Sequence, residues 1–560
     1  MTKAPKSRGA NSVLDTVWPY AAFLLLVALY SLLTLAHGFN ATDEGYLLSI
    51  GARIAEGEAP YTDFYFFRTP LSIYIQAALI SVLGDSYTVL VSRWVWTLQM
   101  CLVAVLISLL YRRFVRPWEL LLLLVTTFTV SSLLLIFPWY SYDALLFAVL
   151  MAVFVHFRQY ELSGVAAFLA FMCKQNYGIL IPGFLVAALI IQRIWPQLRV
   201  LTLKQGIRML IGAVVPLGAY LIYLYFNDTL GAFWDNVFVY PRMASQVSVW
   251  FVLFQNHHEV IYLGLPAMMA AVFGFYLRPG RTVIVAVAAL ATLVSLVLIF
   301  KIHHNYIYSL VYVNLALSFA IVVRLIKSKQ ARESDVGARL LPALIIGVII
   351  QYAAGFNYTG VVLSYMGSGL LLGILYVMYR ELSQARRRRY IALGLVVVLL
   401  AGGLYHKYTY VYRDVARGEK TSEFRTAKLA GIRSGQRNVR QIESLIEAID
   451  QRSERADYIF MFPDMPIMYY LADRRNPTPV GWYVQLEYGN WLMDEILASL
   501  EANRPKVVFA QRYFEVDFER AGALVDYRGI PRYIPIANFI NANYNPQGMV
   551  GDVFMFLPKE

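Results

Sequence analysis

Several groups of polar residues stand beside long apolar runs, and their side chains have the types needed to move a phosphate-bearing substrate. The first is Asp43-Glu44-Gly45-Tyr46, continued by Gly57-Glu58-Ala59-Pro60-Tyr61-Thr62-Asp63-Phe64 and by Arg68-Thr69-Pro70-Leu71. The second is Lys301, His303, His304, Asn305 and Tyr306. A third spreads between Asn227 and Glu259, with Trp234, Tyr240, Arg242, Trp250, His257, His258 and Glu259. Lys174, Gln175 and Asn176 form a smaller set that interrupts two short apolar stretches. Ionisable groups at membrane depth or at its interface are costly and mark functional sites by default. Arg68, Arg242 and Lys301 suit the neutralisation of a phosphate, Asp43 suits the removal of a proton from a hydroxyl, and the aromatic rings suit stacking on sugars. A plainer account exists for each group. Asp43 and Glu44 also fit an acidic first helical turn favoured by the helix dipole, the histidines fit interfacial solvation, and the Trp and Tyr residues fit an interfacial aromatic belt.

The elements that would carry these residues are set by composition. The 560 residues are 59% hydrophobic and 15% charged, against about half and about a quarter in soluble globular domains, so the expected class is a polytopic α-helical membrane protein. The +13 net charge is no nucleic-acid footprint. It collects in short loops, at Arg112/Arg113/Arg116, Arg193/Arg199/Lys204/Arg208, Arg278/Arg281, Arg324/Lys327/Lys329 and Arg386 to Arg389, as cytoplasmic loops do. The two cysteines, Cys101 and Cys173, lie in apolar runs and offer neither a disulfide framework nor a metal site.

A first span is expected over roughly residues 17 to 36, with Lys3, Lys6 and Arg8 holding the N-terminus in the cytoplasm. Residues 37–85 then form a long outer loop, with an amphipathic helix over 44–57 and an apolar interfacial stretch over 70–83. Further spans are expected near 87–110, 117–137, 142–157, 164–173, 177–192, 209–226, 260–277, 282–300, 306–323, 340–357, 360–379 and 390–404, about 13 in all with the first. The short pair around Lys174 predicts a broken hairpin opening into a cavity. All four polar groups then map to one outer leaflet, a convergence that scattered solvated loops would not need.

Residues 1–404 thus form the transmembrane part, and 405–560 a separate soluble α/β domain placed outside by the odd number of crossings. In that domain helices are expected over 436–450, 466–471, 490–502 and 534–542, and strands over 458–462, 507–510 and 553–557.

The stretch TDEGYLLSIGARIAEGEAPYTDFYFFRTPLSIYIQAALISVLGDSYTVLVSRW resembles the first outer loop of GT-C glycosyltransferases, near the aminoarabinose transferase and protein O-mannosyltransferase branches. The resemblance continues through YDALLFAVLMAVFVHF, AFLAFMCKQNYGILIPGFLVAAL, HHNYIYSLVYVNLALSFA and DYIFMFPDMPIMYYLADRRNPTPV, nearly the whole chain. It implies a GT-C-like bundle in the bacterial inner membrane and transfer of a hexose or pentose from a polyprenyl-phosphate donor. The acceptor would be a lipid, a glycan or a protein, reached on the outer face with inversion at the anomeric carbon. Asp43 matches the family's catalytic base and Glu44 its acidic neighbour. Arg68 falls where a donor-phosphate contact is common, and Lys301, His304 and Tyr306 match a later donor-side segment. Lys174, Gln175 and Arg242 complete the expected substrate-binding set. No cofactor is required on this reading, although Asp43, Glu44 and the histidines have the ligand types for a divalent cation.

Two other readings share the span count. A secondary transporter also carries intramembrane charges, but the halves show no inverted repeat and a long outer loop with a terminal outer domain is unusual there. A polymerase or ligase moving lipid-linked glycans differs mainly in substrate. The topology is directly testable: a tag placed after Glu560 is expected to be labelled from outside the inner membrane in intact cells or spheroplasts, and protection of that tag contradicts the crossing scheme.

Overall fold

The computed structural model describes residues 13–198, 200–244, single positions between 310 and 327, and then 328–332, 334–355, 362–382, 386–419, 421–483, 490–511, 514–517, 523–526 and 533–560. Its first nine helices are α1 (Val13–Thr34), α2 (Asp43–Ala55), α3 (Leu71–Leu83), α4 (Thr88–Tyr111), α5 (Pro117–Ser131), α6 (Tyr140–His156), α7 (Tyr160–Cys173), α8 (Leu180–Ile194) and α9 (Leu203–Phe226). Three long helices, Asp335–Gly355, Tyr365–Leu382 and Arg386–Thr409, complete the described bundle. Among the described residues, six helical segments are long and apolar enough to cross a membrane, and four shorter apolar helices accompany them. The expected spans at 260–277 and 282–300 lie outside the described residues.

Helix boundaries follow local chemistry. Asn40 Oδ1 accepts from the backbone N–H of Thr42 at 2.8 Å and of Asp43 at 3.1 Å, satisfying donors at the start of α2. Pro117 opens α5, where its missing N–H costs nothing. The break expected around Lys174 is present: α7 stops at Cys173, a 3-10 turn covers Gln175–Ile179, and α8 follows. Helices α7 and α9 approach at small residues. A Cβ on Gly164 would lie 2.1 Å from the Met209 carbonyl oxygen, and one on Gly212 would lie 2.0 Å from that of Glu161, so only glycine permits this backbone contact.

The last apolar helix runs on to Thr409, past the boundary expected at 404, because Tyr405, His406 and Lys407 continue its turns. Beyond it the strands are β1 (Thr421–Glu423), β2 (Arg433–Gly435), β3 (Ile459–Phe462), β4 (Val507–Gln511), β5 (Phe514–Asp517), β6 (Ala523–Asp526), β7 (Tyr544–Val550) and β8 (Val553–Pro558). The main sheet has the order β3-β4-β8-β7, with β3 and β4 parallel and the other pairs antiparallel. Helices Gln436–Asp450, Ile467–Leu471, Met493–Ala502 and Ile534–Asn543 belong to the same domain.

Strand alternation gives this sheet two apolar faces. Ile459 and Met461 pack on one side with Ile442, Leu445 and Met468; Phe460 and Phe462 pack on the other with Ile496, Ile536 and Ile540. The loop after α1 reaches both sides: Phe39 and Leu48 join the first cluster and Phe67 joins the second. The loop and the C-terminal domain therefore share their cores and lie on the same side of the bundle.

The tightest point of this junction is Gly45, where a Cβ would lie 2.3 Å from the Cβ of Ile467. Gly45→Ala is expected to push α2 away from Ile467–Leu471 at a cost of about 1–3 kcal/mol, the usual scale of overpacking. Limited proteolysis between Thr409 and Gln436 is expected to quicken. Gly231→Ala, where a Cβ meets nothing within 4 Å, should leave the digestion pattern unchanged. Equal resistance of Gly45→Ala and wild type would contradict the close approach.

Candidate active site

The acidic start of α2 divides its two carboxylates between different tasks. Glu44 is buried, and both of its oxygens accept from Arg93 of α4, Oε1 from Nε and Oε2 from Nη2, each at 2.7 Å. The two side chains are 1% exposed. Arg93 also donates to the carbonyl oxygens of Leu35 at 2.6 Å and Gly38 at 2.7 Å. One guanidinium thus holds the end of α1, the turn after it and the start of α2, a bidentate geometry that arginine alone provides. Glu44 was expected in the catalytic set beside Asp43, as its acidic neighbour. Its geometry assigns it to this anchor instead, since both oxygens face Arg93.

Asp43 faces the other way. Its Oδ2 accepts from the Tyr412 hydroxyl at 2.8 Å and from Asn40 Nδ2 at 3.4 Å, and lies 3.3 Å from Arg413 Nη1. Its side chain is 12% exposed. The α2 start is bonded by Asn40, so the Asp43 carboxylate is turned toward the residues after the last apolar helix. Burial and the Asp43 carboxylate raise the Tyr412 phenol above its ordinary range and keep it a donor.

Arg68 belongs to the same surroundings. Its guanidinium stands 4.5 Å from the ring centroid of Tyr140 and 5.9 Å from that of Tyr46. Its arm is pinned to the Lys174 break, because Gln175 Nε2 donates to the Phe67 carbonyl oxygen at 3.0 Å and Thr69 Oγ1 donates to that of Phe171 at 2.6 Å. Lys174 is buried; its Nζ donates to Ser141 Oγ at 3.2 Å and to the Ala354 carbonyl oxygen at 3.0 Å, and lies 5.7 Å from the Tyr140 ring. Two cations therefore meet around Tyr140.

A circuit of rings connects the cations to the carboxylate. Tyr140 packs on Trp139 at 4.5 Å, Trp139 on Phe137 at 6.2 Å, and Phe137 on Tyr412 at 6.3 Å, which bonds Asp43. In the other direction Arg68 stands over Tyr46, one turn of α2 from Asp43. Tyr46 in turn packs against Trp482 of the C-terminal domain at 5.2 Å. Trp482 Nε1 donates to Asp464, whose carboxyl is pushed up to about 6 chiefly by burial.

Not every expected residue joins this circuit. Arg242 is exposed on the short helix Tyr240–Ala244; its neighbour Tyr240 packs on Tyr65, Phe67 and Trp491 and so supports the arm that leads to Arg68. Lys301, His304 and Tyr306 lie outside the described residues, as do Trp250, His257, His258 and Glu259. Sequence reasoning missed Arg93, Tyr412, Arg413, Asp464 and Trp482. Arg93 carried the one available signal, a charge inside an otherwise apolar span. Among the described residues, no group of three or more His, Cys, Asp or Glu side chains is placed to hold a metal ion.

No family model matches the chain, and no curated protein matches it. Among solved structures it is similar to that of ArnT from Cupriavidus metallidurans bound to undecaprenyl phosphate, at 14% identity over 97% of this chain and 98% of that one, with a TM-score of 0.40.

The division of labour between Glu44 and Asp43 has a measurable consequence. Glu44→Gln or Arg93→Met leaves one member of a buried pair without its counterion, which costs about 3–5 kcal/mol and is expected to lower the unfolding midpoint in detergent sharply. A loss under about 1 kcal/mol, the range of exposed pairs, would contradict a buried anchor.

Proposed function

We propose that this protein is a membrane glycosyltransferase that moves a hexose or pentose from a polyprenyl-phosphate donor to an acceptor hydroxyl, with Asp43 as the base. The observation that carries the reading is the circuit joining one largely buried carboxylate to two cations through aromatic rings, at the junction of an apolar bundle and the sheet of the C-terminal region. An amphiphilic phosphate donor needs that combination: an apolar flank for the lipid, cations for the phosphate and rings for the sugar. The GT-C-like order of the first outer loop supports the same reading.

In the proposed step the acceptor hydroxyl gives its proton to Asp43 as its oxygen bonds to the anomeric carbon. The bond from that carbon to the phosphate oxygen breaks, and the bonding pair leaves with the lipid phosphate. Attack is in line, so configuration inverts. Arg68 and Lys174 stabilise the charge that grows on the departing phosphate, a role that needs no proton donor because the phosphate is a weak base. Tyr412 and Arg413 hold Asp43 in place, and Glu44 with Arg93 fixes the helix that carries it. Gln175 holds the arm that carries Arg68. No metal enters this mechanism. The site faces the outer side of the inner membrane, with the N-terminus in the cytoplasm, and the acceptor is a lipid, a glycan or a protein.

Asp43→Asn tests the base directly, because Asn keeps size and hydrogen bonding but cannot take the proton. With undecaprenyl-phosphate sugars as donors, the purified variant is expected to fold and bind donor while losing transfer by about 10²-fold or more. If Asp43 only begins a helix, Asn serves about as well and turnover should barely change. Near-normal turnover would refute the assignment.

A further inference from the structure

A second pair of cations stands at the end of the last apolar helix. Lys407 is 3% exposed, and its Nζ donates to the carbonyl oxygen and to the Oγ of Ser132, each at 2.6 Å. It lies 5.3 Å from the ring centroids of Tyr30 in α1 and of Phe128 in α5. Arg417 lines the same crevice, together with Tyr30, Tyr410 and Tyr412. Its Nε is a buried donor without an acceptor. The charged group that acts on Lys407 is Arg417, a like charge, and among the described residues neither cation forms an ion pair with a carboxylate. Burying a charge is costly unless it is paired, and two facing cations add repulsion to that cost. An anion between them offsets both.

We propose that Lys407 and Arg417 form an anion site that takes the phosphate of an anionic membrane lipid, separate from the Arg68–Lys174 pair. The ring contacts Tyr140–Trp139, Trp139–Phe137 and Phe137–Tyr412 lie between the two pairs. A lipid is the occupant because of where the crevice sits. Helix α1 and helix Arg386–Thr409 both pack on α5, and both contain segments long and apolar enough to cross a membrane. Each also exposes apolar side chains, Leu29 and Leu33 on the first, Leu404 and Tyr408 on the second. Tyr30 and Lys407 stand near the ends of these lipid-facing helices, at the depth of headgroup phosphates, where basic pockets between helices hold anionic lipids. The core of the crevice, about 10 Å³, has the room of a single water. It takes one phosphate oxygen and excludes a sugar ring, so the rest of the ester and its acyl chains stay outside. That oxygen accepts from Arg417 Nε and from the third N–H of the Lys407 ammonium, the other two being given to Ser132. Tyr412 lines the crevice and bonds Asp43, so the lipid phosphate and the acidic site share one wall. The lipid site does not depend on the glycosyl-transfer reading.

Native mass spectrometry of the full chain, delipidated in detergent and titrated with phosphatidylglycerol or with phosphatidylcholine of the same acyl chains, counts bound lipid and gives its affinity. Phosphatidylglycerol is expected to saturate a single site. Phosphatidylcholine, whose headgroup carries its own cation, is expected to bind about tenfold more weakly or worse. Arg417→Gln changes a half-buried position, so it is expected to fold and to weaken phosphatidylglycerol by about tenfold, the scale of one hydrogen bond to a charged group. Lys407→Gln, which keeps a donor for Ser132, is expected to do the same. Arg113→Gln removes an exposed cation elsewhere and should leave the affinity unchanged. Equal binding of the two lipids, wild-type affinity in Arg417→Gln, or an equal loss in Arg113→Gln would each overturn the site. Inorganic phosphate that displaces the lipid at matching concentrations would show a site for free anions and overturn the lipid occupant. Displacement by undecaprenyl phosphate, with its binding weakened in Arg417→Gln, would make this the donor's phosphate site and overturn both the inference and the assignment of Arg68 and Lys174. Sugar transfer by a protein that shows no such lipid site would overturn the site and leave the glycosyl-transfer reading in place.

Discussion

A buried guanidinium organises the junction between the helical bundle and the C-terminal sheet of this molecule. Arg93 enters the protein on an apolar helix, where an unpaired charge would be costly, and it is compensated by donating four hydrogen bonds: two to Glu44 and one each to the carbonyls of Leu35 and Gly38. Those acceptors come from three consecutive pieces of chain, the end of α1, the turn and the start of α2. Satisfying Arg93 therefore fixes the direction in which α2 leaves the bundle. Since Asp43 precedes Glu44, pointing one carboxylate inward at Arg93 sends its neighbour toward Tyr412 and Arg413.

From that constraint the remaining contacts follow in order. With α2 fixed, Leu48 and Phe39 are presented to one face of the C-terminal sheet, and Phe67, further along the loop, reaches the other. Asp414 adds polar stitching, accepting from the Phe39 N–H at 2.8 Å and from the Gly435 N–H at 3.2 Å. The C-terminal domain is thus bound to the loop that carries Asp43 rather than tethered beside it. That explains how Trp482, from the far end of the sequence, comes to pack against Tyr46, near the N-terminal end.

Much of this architecture was legible because membrane helices and amphipathic helices announce themselves locally. The helix over Gln436–Asp450, the start of α2 at Asp43 and the interruption at Lys174 all follow from periodicity, composition or a break in an apolar run. The short strands β1 and β2 carry too few residues for a pattern, and β7, with Asn545, Pro546, Gln547 and Gly548, reads as a turn; pairing with β8 makes it a strand. The site was half legible. Asp43 and Arg68 stood out as charges beside apolar runs. In the sequence Glu44 groups with Asp43 because the two are adjacent, and only the arginine 49 residues away reveals its separate duty. Tyr412 and Arg413 lie 369 or more positions from the loop they complete, a distance that no local pattern bridges.

The central claim is that Arg68 and Lys174 hold the phosphate of a lipid-linked donor while Asp43 works across the ring circuit from them. An experimental structure of the protein with undecaprenyl phosphate bound is the most direct measurement. The account predicts phosphate density within hydrogen-bonding distance of both Arg68 and Lys174, with the Asp43 carboxylate facing the side from which an acceptor would approach. Phosphate bound elsewhere, with Arg68 and Lys174 making no contact to it, would contradict the account.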